Sequence, residues 1–273
     1  MLSIGSRIGS FVPDRYQGDL RVGRELWKGE AEIRLLPALL SGGGTFIDVG
    51  GNLGTYAVYA CRFTKSVEVF EPHPTLSRAL RATLGARASV HEIALSDRAG
   101  NVVIHIPVLG EREIHSRGSI ETCHAVDFAR MRDVEVECRR LDDYEFDGVS
   151  VIKIDVEGHE AAVLRGATET LRKHGPTVIV EVEDFRMPGC FEDVHAMMHG
   201  HGYDGFFIRR GRIESLKGFD IARHQAPELR QAYGGRRNPD FVNNFIFQPR
   251  GAGRLGVGME VPPWGPRAGR QAH

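Results

Sequence analysis

The period of the hydrophobic positions changes several times along the chain, and each change marks an element. From Asp19 to about Leu40 the apolar residues Leu26, Ile33, Leu36, Leu39 and Leu40 recur at helical spacing. That spacing predicts one or two helices, ended by Ser41-Gly-Gly-Gly44. Short apolar runs predict strands at about 45–49 and 66–70, with a helix from Gly54 to Phe63 between them. A helix over 75–84 and a strand over 89–94 follow. Two further strands run from Val102 to Val108 and from Val134 to Arg140, the latter with period-two alternation. The polar stretch 110–130 between them is expected to be a long loop near a site. Val149-Ser-Val-Ile-Lys-Ile154 has the pattern of a buried parallel strand. The helix from about His159 to His174 puts Val163, Leu164, Ala167 and Leu171 on one face, and Gly175-Pro176 stops it. A strand from Thr177 to Val182, a helix from Phe191 to His201, a short strand from Gly205 to Arg209 and a last strand from Phe241 to Phe247 complete the pattern.

Strands alternating with helices predict an α/β fold with a doubly wound, mostly parallel sheet. Three segments are expected: a helical addition over 1–44, a main domain over 45–250, and a Gly-, Pro- and Arg-rich tail over 251–273 that is expected to be disordered. Ligands of such sheets sit at the carboxyl ends of the strands, near the switch point between the strands at 45–49 and 149–154. Acids gather there: Asp48, Glu71, Asp155, Glu181 and Glu183.

Composition narrows the classes. In 273 residues, 41% are hydrophobic and 26% charged, a balance that allows a full core. A net charge of −1, with no basic, aromatic-laced patch, argues against a nucleic-acid partner or an anionic membrane surface. The four cysteines, Cys61, Cys123, Cys138 and Cys190, form no C-x-x-C pair and are expected to be reduced thiols. The N-terminal residues lack a continuous apolar stretch of the signal-peptide kind, and no run approaches the length of a spanning helix. A soluble, cytoplasmic protein is expected.

The candidate chemistry centres on Thr45-Phe-Ile-Asp-Val-Gly-Gly-Asn-Leu-Gly-Thr-Tyr56 and on Glu71 at the end of the next strand. Strand, glycine turn, helix, strand, acid is the order of a nucleoside-binding βαβ unit. A pyrophosphate fingerprint is missing, because Val49 stands where its first glycine belongs. No Lys-Ser or Lys-Thr pair follows Gly54, which excludes a P-loop. Asp48 at the mouth would repel a phosphate. Gly50, Gly51 and Gly54 under a rim of acids suit a nucleoside with a positive centre, such as S-adenosylmethionine, whose sulfonium and ammonium are cationic.

In that arrangement Asp48 and Asn52 line the methionine end and Glu71 holds the ribose hydroxyls. Asp48 could equally cap the helix. Ala94 and Leu95 would border the adenine or belong to the core, and Ser96 and Asp97 would bond its amino group or form a turn. Asp155, Glu157, His159 and Glu160 crowd one strand-to-helix turn, either as helix-terminal acids or as a site. His159 is the candidate general base and Asp155, also bordering the donor, the alternative. Glu157, Glu181 and Glu183 are candidates for the acceptor. Asp155, Glu181 and Glu183 could hold a hard cation, but methyl transfer does not require one and no metal is expected.

Several segments together resemble the FkbM-type S-adenosylmethionine-dependent methyltransferases: Phe46-Ile-Asp-Val-Gly-Gly-Asn-Leu-Gly54, Val69-Phe-Glu-Pro-His-Pro74, Ala94-Leu-Ser-Asp97, Leu141-Asp-Asp-Tyr144, Ile152-Lys-Ile-Asp-Val-Glu-Gly-His-Glu160, Val163-Leu-Arg-Gly-Ala167 and Asn244-Phe-Ile-Phe247. The resemblance covers roughly residues 45–247. Gly51 departs from it, standing where alanine is more usual. The resemblance implies a class I methyltransferase fold with an antiparallel seventh strand, and O-methylation of a hydroxyl on a sugar, glycolipid or polyketide-type molecule. A nicotinamide-dependent oxidoreductase and a non-catalytic S-adenosylmethionine-binding protein are the alternatives.

Overall fold

In a computed structural model of the chain, residues 14–109, 112–113, 130–230 and 237–262 are described. The main sheet has eight strands in the order β11-β10-β12-β9-β8-β1-β2-β3. Its centre is β1 (Thr45–Val49), fully buried, between β2 (Val67–Phe70) and β8 (Val149–Ile154), with β3 (Ser89–His91) and β9 (Thr177–Glu181) outside them. These five strands run parallel. The last strand, β12 (Asn244–Pro249), runs antiparallel to β9 and to β10 (Tyr203–Arg209), as the resemblance implied for the seventh strand. An additional hairpin strand, β11 (Arg212–Ser215), forms the edge.

Each face of the sheet has its own core. Val22 and Leu26 of α1 (Asp14–Lys28) pack with Phe46, Val58 and Leu80 on one face, together with α2 (Leu36–Leu39), α3 (Thr55–Ala60) and α4 (Pro74–Leu84). The other face carries α5 (Glu160–Arg165), α6 (Thr168–His174) and α7 (Cys190–Gly200), whose Val163, Leu171, Phe191 and Met198 cover Ile152, Val180 and Phe245. Because burial against the sheet is what makes such helices stable, α1 shares the main core. No helix among the described residues is long and apolar enough to cross a membrane.

Four differences from the sequence pattern have local causes. The strand expected over 89–94 breaks at Glu92 and Ile93. Its second part, β4 (Ala94–Leu95), joins a separate sheet with β7 (Arg130–Arg139), β5 (Gly100–Leu109) and β6 (Arg112–Glu113), in the order β4-β7-β5-β6. The helix expected over 159–174 divides at Gly166 and Ala167. Gly166 presses on the backbone of Ser96, where a Cβ would lie 1.9 Å from the carbonyl oxygen. The last strand begins three residues later than expected, at Asn244. Residues 251–262 of the tail expected to be disordered pack back on β11: the Gly258 amide donates to the Ile213 carbonyl and the Ile213 amide to the Met259 carbonyl, and Leu255 and Val261 are buried. Most of the 110–130 loop and residues 263–273 lie outside the described residues.

Candidate functional site

The parallel strands carry their acids to one rim. Asp48 lies near the end of β1, Glu71 follows β2, Asp155 follows β8, and Glu181 closes β9. A cavity of about 190 Å³ opens there, floored by Gly50, Gly51 and Asn52. Tyr56, Lys153, Asp48, Asp155 and the N-terminal Glu25 and Glu30 wall it. The floor is pressed against the exit of β8. Gly50 has φ +79°, and a Cβ there would sit 1.8 Å from the Asp155 carbonyl oxygen. Two non-glycine residues at the rim also adopt left-handed backbone, Asn52 (φ 47°) and Glu157 (φ 52°), a conformation that is unfavourable for most side chains and gathers at binding sites.

Glu71 fastens this loop. Its Oε2 accepts from the Asn52 amide at 2.8 Å and its Oε1 from the His73 amide at 2.9 Å. By contrast, Asp48 Oδ2 and Asn52 Oδ1 are buried without a hydrogen-bond partner among the described residues. Such atoms are costly unless a ligand meets them.

The cation of the site is Lys153, which the sequence pattern had absorbed into a strand. Its side chain is 2% exposed. Nζ donates to Asn244 Oδ1 at 3.2 Å and to the Ile154 carbonyl at 3.3 Å, and lies 4.0 Å from Asp155 Oδ2 and 3.9 Å from Glu181 Oε2. Burial alone would push this ammonium down, but Asp155, Glu30, Glu181 and Asp48 outweigh it and hold the group above its ordinary range. Glu30 accepts from the Tyr56 hydroxyl at 2.7 Å and from Arg237 Nη1 at 3.0 Å. Burial would raise its carboxyl, yet Lys153 and Arg237 hold it at about 2. Glu30, Tyr56, Arg237 and Asn244 were not singled out as site residues in the sequence.

The candidates for the acceptor are engaged elsewhere. Asp155, Glu157, Glu181 and Glu183 border a second cleft of only about 10 Å³, space for about one water. Arg186 pairs with Glu183 and, at 3.3 Å, with Glu157. Asn243 Nδ2 donates to Glu181 at 2.6 Å and to Glu183 at 2.9 Å. His159, the expected base, is buried at the start of α5, and its Nε2 bonds Ser96 Oγ at 2.9 Å. It lines neither cleft. Ser96 in turn bonds Asp97, whose other oxygen takes Arg165 at 3.0 Å. His159, Ser96 and Asp97 thus tie α5 to β4. Ala94 and Leu95 are core side chains, and Gly54 starts α3 with φ +77° against Leu80.

The crowded acids set a pH dependence. Burial, assisted by neighbouring carboxylates, raises Asp48, Glu71, Glu157 and Glu160 each to about 7. Groups whose folded-state pKa lies above the unfolded value of about 4 bind protons on folding between those limits. Their contribution is therefore present at low pH and lost as pH rises through 7. Scanning calorimetry of the ligand-free protein is expected to show Tm falling between pH 5 and 8. A flat or rising Tm would contradict the arrangement of acids.

Known proteins resemble this chain in sequence and in structure. A family model described as the methyltransferase FkbM domain matches residues 48–204, more than half of the chain. The chain is similar to the 2-O-methyltransferase NoeI of Sinorhizobium fredii, 32% identical over 143 residues, covering 46% of this chain and 58% of that protein. It is also similar to the hexuronic acid methyltransferase AglP of Haloferax volcanii, 30% identical over 172 residues, covering 58% of this chain and 66% of that one. The matched region thus spans less than two thirds of either relative's length. Among solved structures, a crystal structure of an FkbM methyltransferase from Methylobacillus flagellatus KT aligns over 77% of this chain and 48% of its own, with 14% identity and a TM-score of 0.48.

Proposed function

The chain belongs to the FkbM methyltransferase family, and on that premise we propose that it transfers a methyl group from S-adenosylmethionine to a hydroxyl of a small, polyhydroxylated acceptor. The observation that carries this proposal is the pair of buried oxygens, Asp48 Oδ2 and Asn52 Oδ1, that find no hydrogen-bond partner among the described residues, at an acid-walled cavity with a glycine floor. Acceptors without donors fit the ammonium end of the methyl donor, and the surplus of carboxylates fits its net positive charge. The name of one relative specifies an oxygen position, which supports a hydroxyl acceptor, and the name of another specifies a sugar acid.

When bound, the donor supplies an electrophilic methyl on a sulfonium. Asp48 and Asn52 would hold its amino-acid end. Glu71, already fixed by two backbone amides, would accept from the ribose hydroxyls with its remaining lone pairs. Gly50 and Gly51 let the loop lie close against β8 and β2, where a Cβ would meet the Asp155 carbonyl oxygen and the Val69 side chain. The chain then has to place the acceptor oxygen, exclude water and take a proton. Alignment of this kind supplies roughly 7–11 kcal/mol in favourable cases. We assign proton removal to Asp155 in place of His159, because Asp155 lines the cavity whereas the imidazole is bonded to Ser96. Partial burial, together with the nearby Glu30 and Glu183 carboxylates, raises the Asp155 carboxyl above the usual range, which makes its carboxylate a stronger base. Lys153, 4.0 Å away, steadies that carboxylate and would orient the acceptor hydroxyl.

The test is incubation with S-adenosylmethionine and a panel of sugars and hydroxylated natural products, with S-adenosylhomocysteine and the methylated product read by mass spectrometry. A melting temperature raised by NADH and not by S-adenosylmethionine would favour an oxidoreductase. Donor binding without turnover on any alcohol would favour a non-catalytic binding protein.

A further inference from the structure

Acids surround Asp155 from every element packed against it. Asp48 and Glu71 act on it from the ends of β1 and β2, and Glu157 and Glu160 from the start of α5. Glu181 and Glu183 do so from the exit of β9, and Glu30 from just past the end of α1. Lys153 and Arg237 are the cations that oppose them. These acids are not equivalent. Burial raises Asp48, Glu71, Glu157 and Glu160 to about 7 and Glu181 well above its ordinary range, so none of them carries its full charge near neutrality. Glu183 is taken up by Arg186 and Asn243. Glu30, held at about 2 against its burial, is fully ionised.

Its geometry is fixed as well. Oε2 accepts from the Tyr56 hydroxyl at 2.7 Å and Oε1 from Arg237 at 3.0 Å, while the Glu30 amide donates to Glu25 Oε1 at 2.6 Å. Tyr56 spans from this carboxylate to the ammonium: its hydroxyl is on Glu30, and its ring centre lies 5.4 Å from Lys153 Nζ. Nζ itself stands 4.0 Å from Asp155 and 3.9 Å from Glu181, beyond the roughly 2.7–3.2 Å of a hydrogen bond. Its bonds go instead to the neutral oxygens of Asn244 and Ile154. A lysine bonded directly to Asp155 would occupy the lone pairs that an acceptor hydroxyl needs and would weaken that carboxylate as a base.

We propose that Glu30 is a positioning residue for methyl transfer: its anchored carboxylate shares the Lys153 ammonium and holds it back from Asp155, which stays open to the acceptor hydroxyl. The proposal rests on the methyl-transfer function above and adds a residue outside the stretch 48–204 that the family model matches. Two effects follow from loss of the Glu30 charge, and they have the same sign. An anion that raises the Asp155 carboxyl is gone, and Lys153 and Arg237, which lower it, are less opposed. The ammonium is then free to close on Asp155 and cap it.

The test follows the Asp155 carboxyl by NMR in the full chain with carbon-13 in the aspartate side chains, its signal identified by its loss in Asp155→Asn. In Glu30→Gln the midpoint of its titration is expected to move to lower pH. Glu30→Asp keeps the charge on a shorter arm, is expected to fall between the two, and carries the test if the amide variant does not fold. Turnover of Glu30→Gln at saturating donor should drop by about tenfold, the size of one lost charge-assisted interaction, with donor KM nearly unchanged. In the Asp155→Asn background the same substitution should cost nothing further, because both changes act through one carboxylate. A midpoint equal to wild type in both Glu30 variants overturns the proposal, as does full additivity with Asp155→Asn. A lowered Tm with an unmoved midpoint gives Glu30 a structural role only and also overturns it. Absence of turnover by the wild type would instead strike the methyl-transfer function, while the carboxyl titration still reports whether Glu30 acts on Asp155.

Discussion

Replacing Asp155 with Asn is expected to lower turnover by about 10²- to 10⁴-fold, the range of general-base help, while the affinity for S-adenosylmethionine stays nearly constant. The side chain is 37% exposed and stands where β8 opens into the turn before α5. Asparagine keeps its size, and the tight contact with Gly50 involves the Asp155 backbone, so the loop should not move. What is lost is a carboxylate able to take a proton beside Lys153. The companion variant is His159→Gln. It removes a buried imidazole bonded to Ser96, a loss of about 1–3 kcal/mol, which in a domain of this size lowers Tm by several degrees. Turnover should persist in the folded fraction. Initial rates at saturating donor, paired with melting curves, separate the two variants. Full turnover in Asp155→Asn would move the base elsewhere, and abolished turnover in a normally folded His159→Gln would return it to the imidazole.

The contrast between these two residues shows where the sequence speaks and where it stops. Asp155 was legible because an acid ending a buried parallel strand has one place to go, the carboxyl rim. His159 lies four residues on, at a helix start, and a one-dimensional pattern does not say which side of the turn its ring occupies. The β1 strand, glycine loop and Glu71 were legible for the same reason as Asp155: their geometry is set by local spacing. Glu30 and Arg237 were not, because their pairing joins positions 207 residues apart and each alone resembles a solvated surface charge. Lys153 could have been found. A lysine inside an otherwise apolar central strand has to be buried, and a buried ammonium demands carboxylates around it. The tail misled through composition: Gly and Pro suggested disorder, while Leu255 and Val261 supply the apolar contacts that hold residues 251–262 against β11.

Glu71→Ala is expected to raise the Kd for S-adenosylmethionine by about a hundredfold. Two hydrogen bonds to a charged carboxylate, at about 1.5 kcal/mol each or somewhat more, correspond to two factors of ten. The alanine also frees the Asn52 and His73 amides, so part of any loss would reflect the loop and not the ribose. Glu71→Gln separates the contributions. It preserves volume and one acceptor oxygen, and should cost about tenfold. The pH profile gives a further distinction. Burial raises the Glu71 carboxyl to about 7, against the two amide bonds that lower it, so near neutrality the empty site holds it partly protonated. A cationic donor favours the ionised form, hence wild-type affinity should increase as pH rises from 6 to 8, and the increase should be smaller in Glu71→Gln, where one of the titrating acids is gone. Calorimetry across that range reads both effects. An unchanged Kd in Glu71→Ala would remove this residue from the ribose site, and an affinity that falls with rising pH would mean that the acids of the rim do not face the donor's charge.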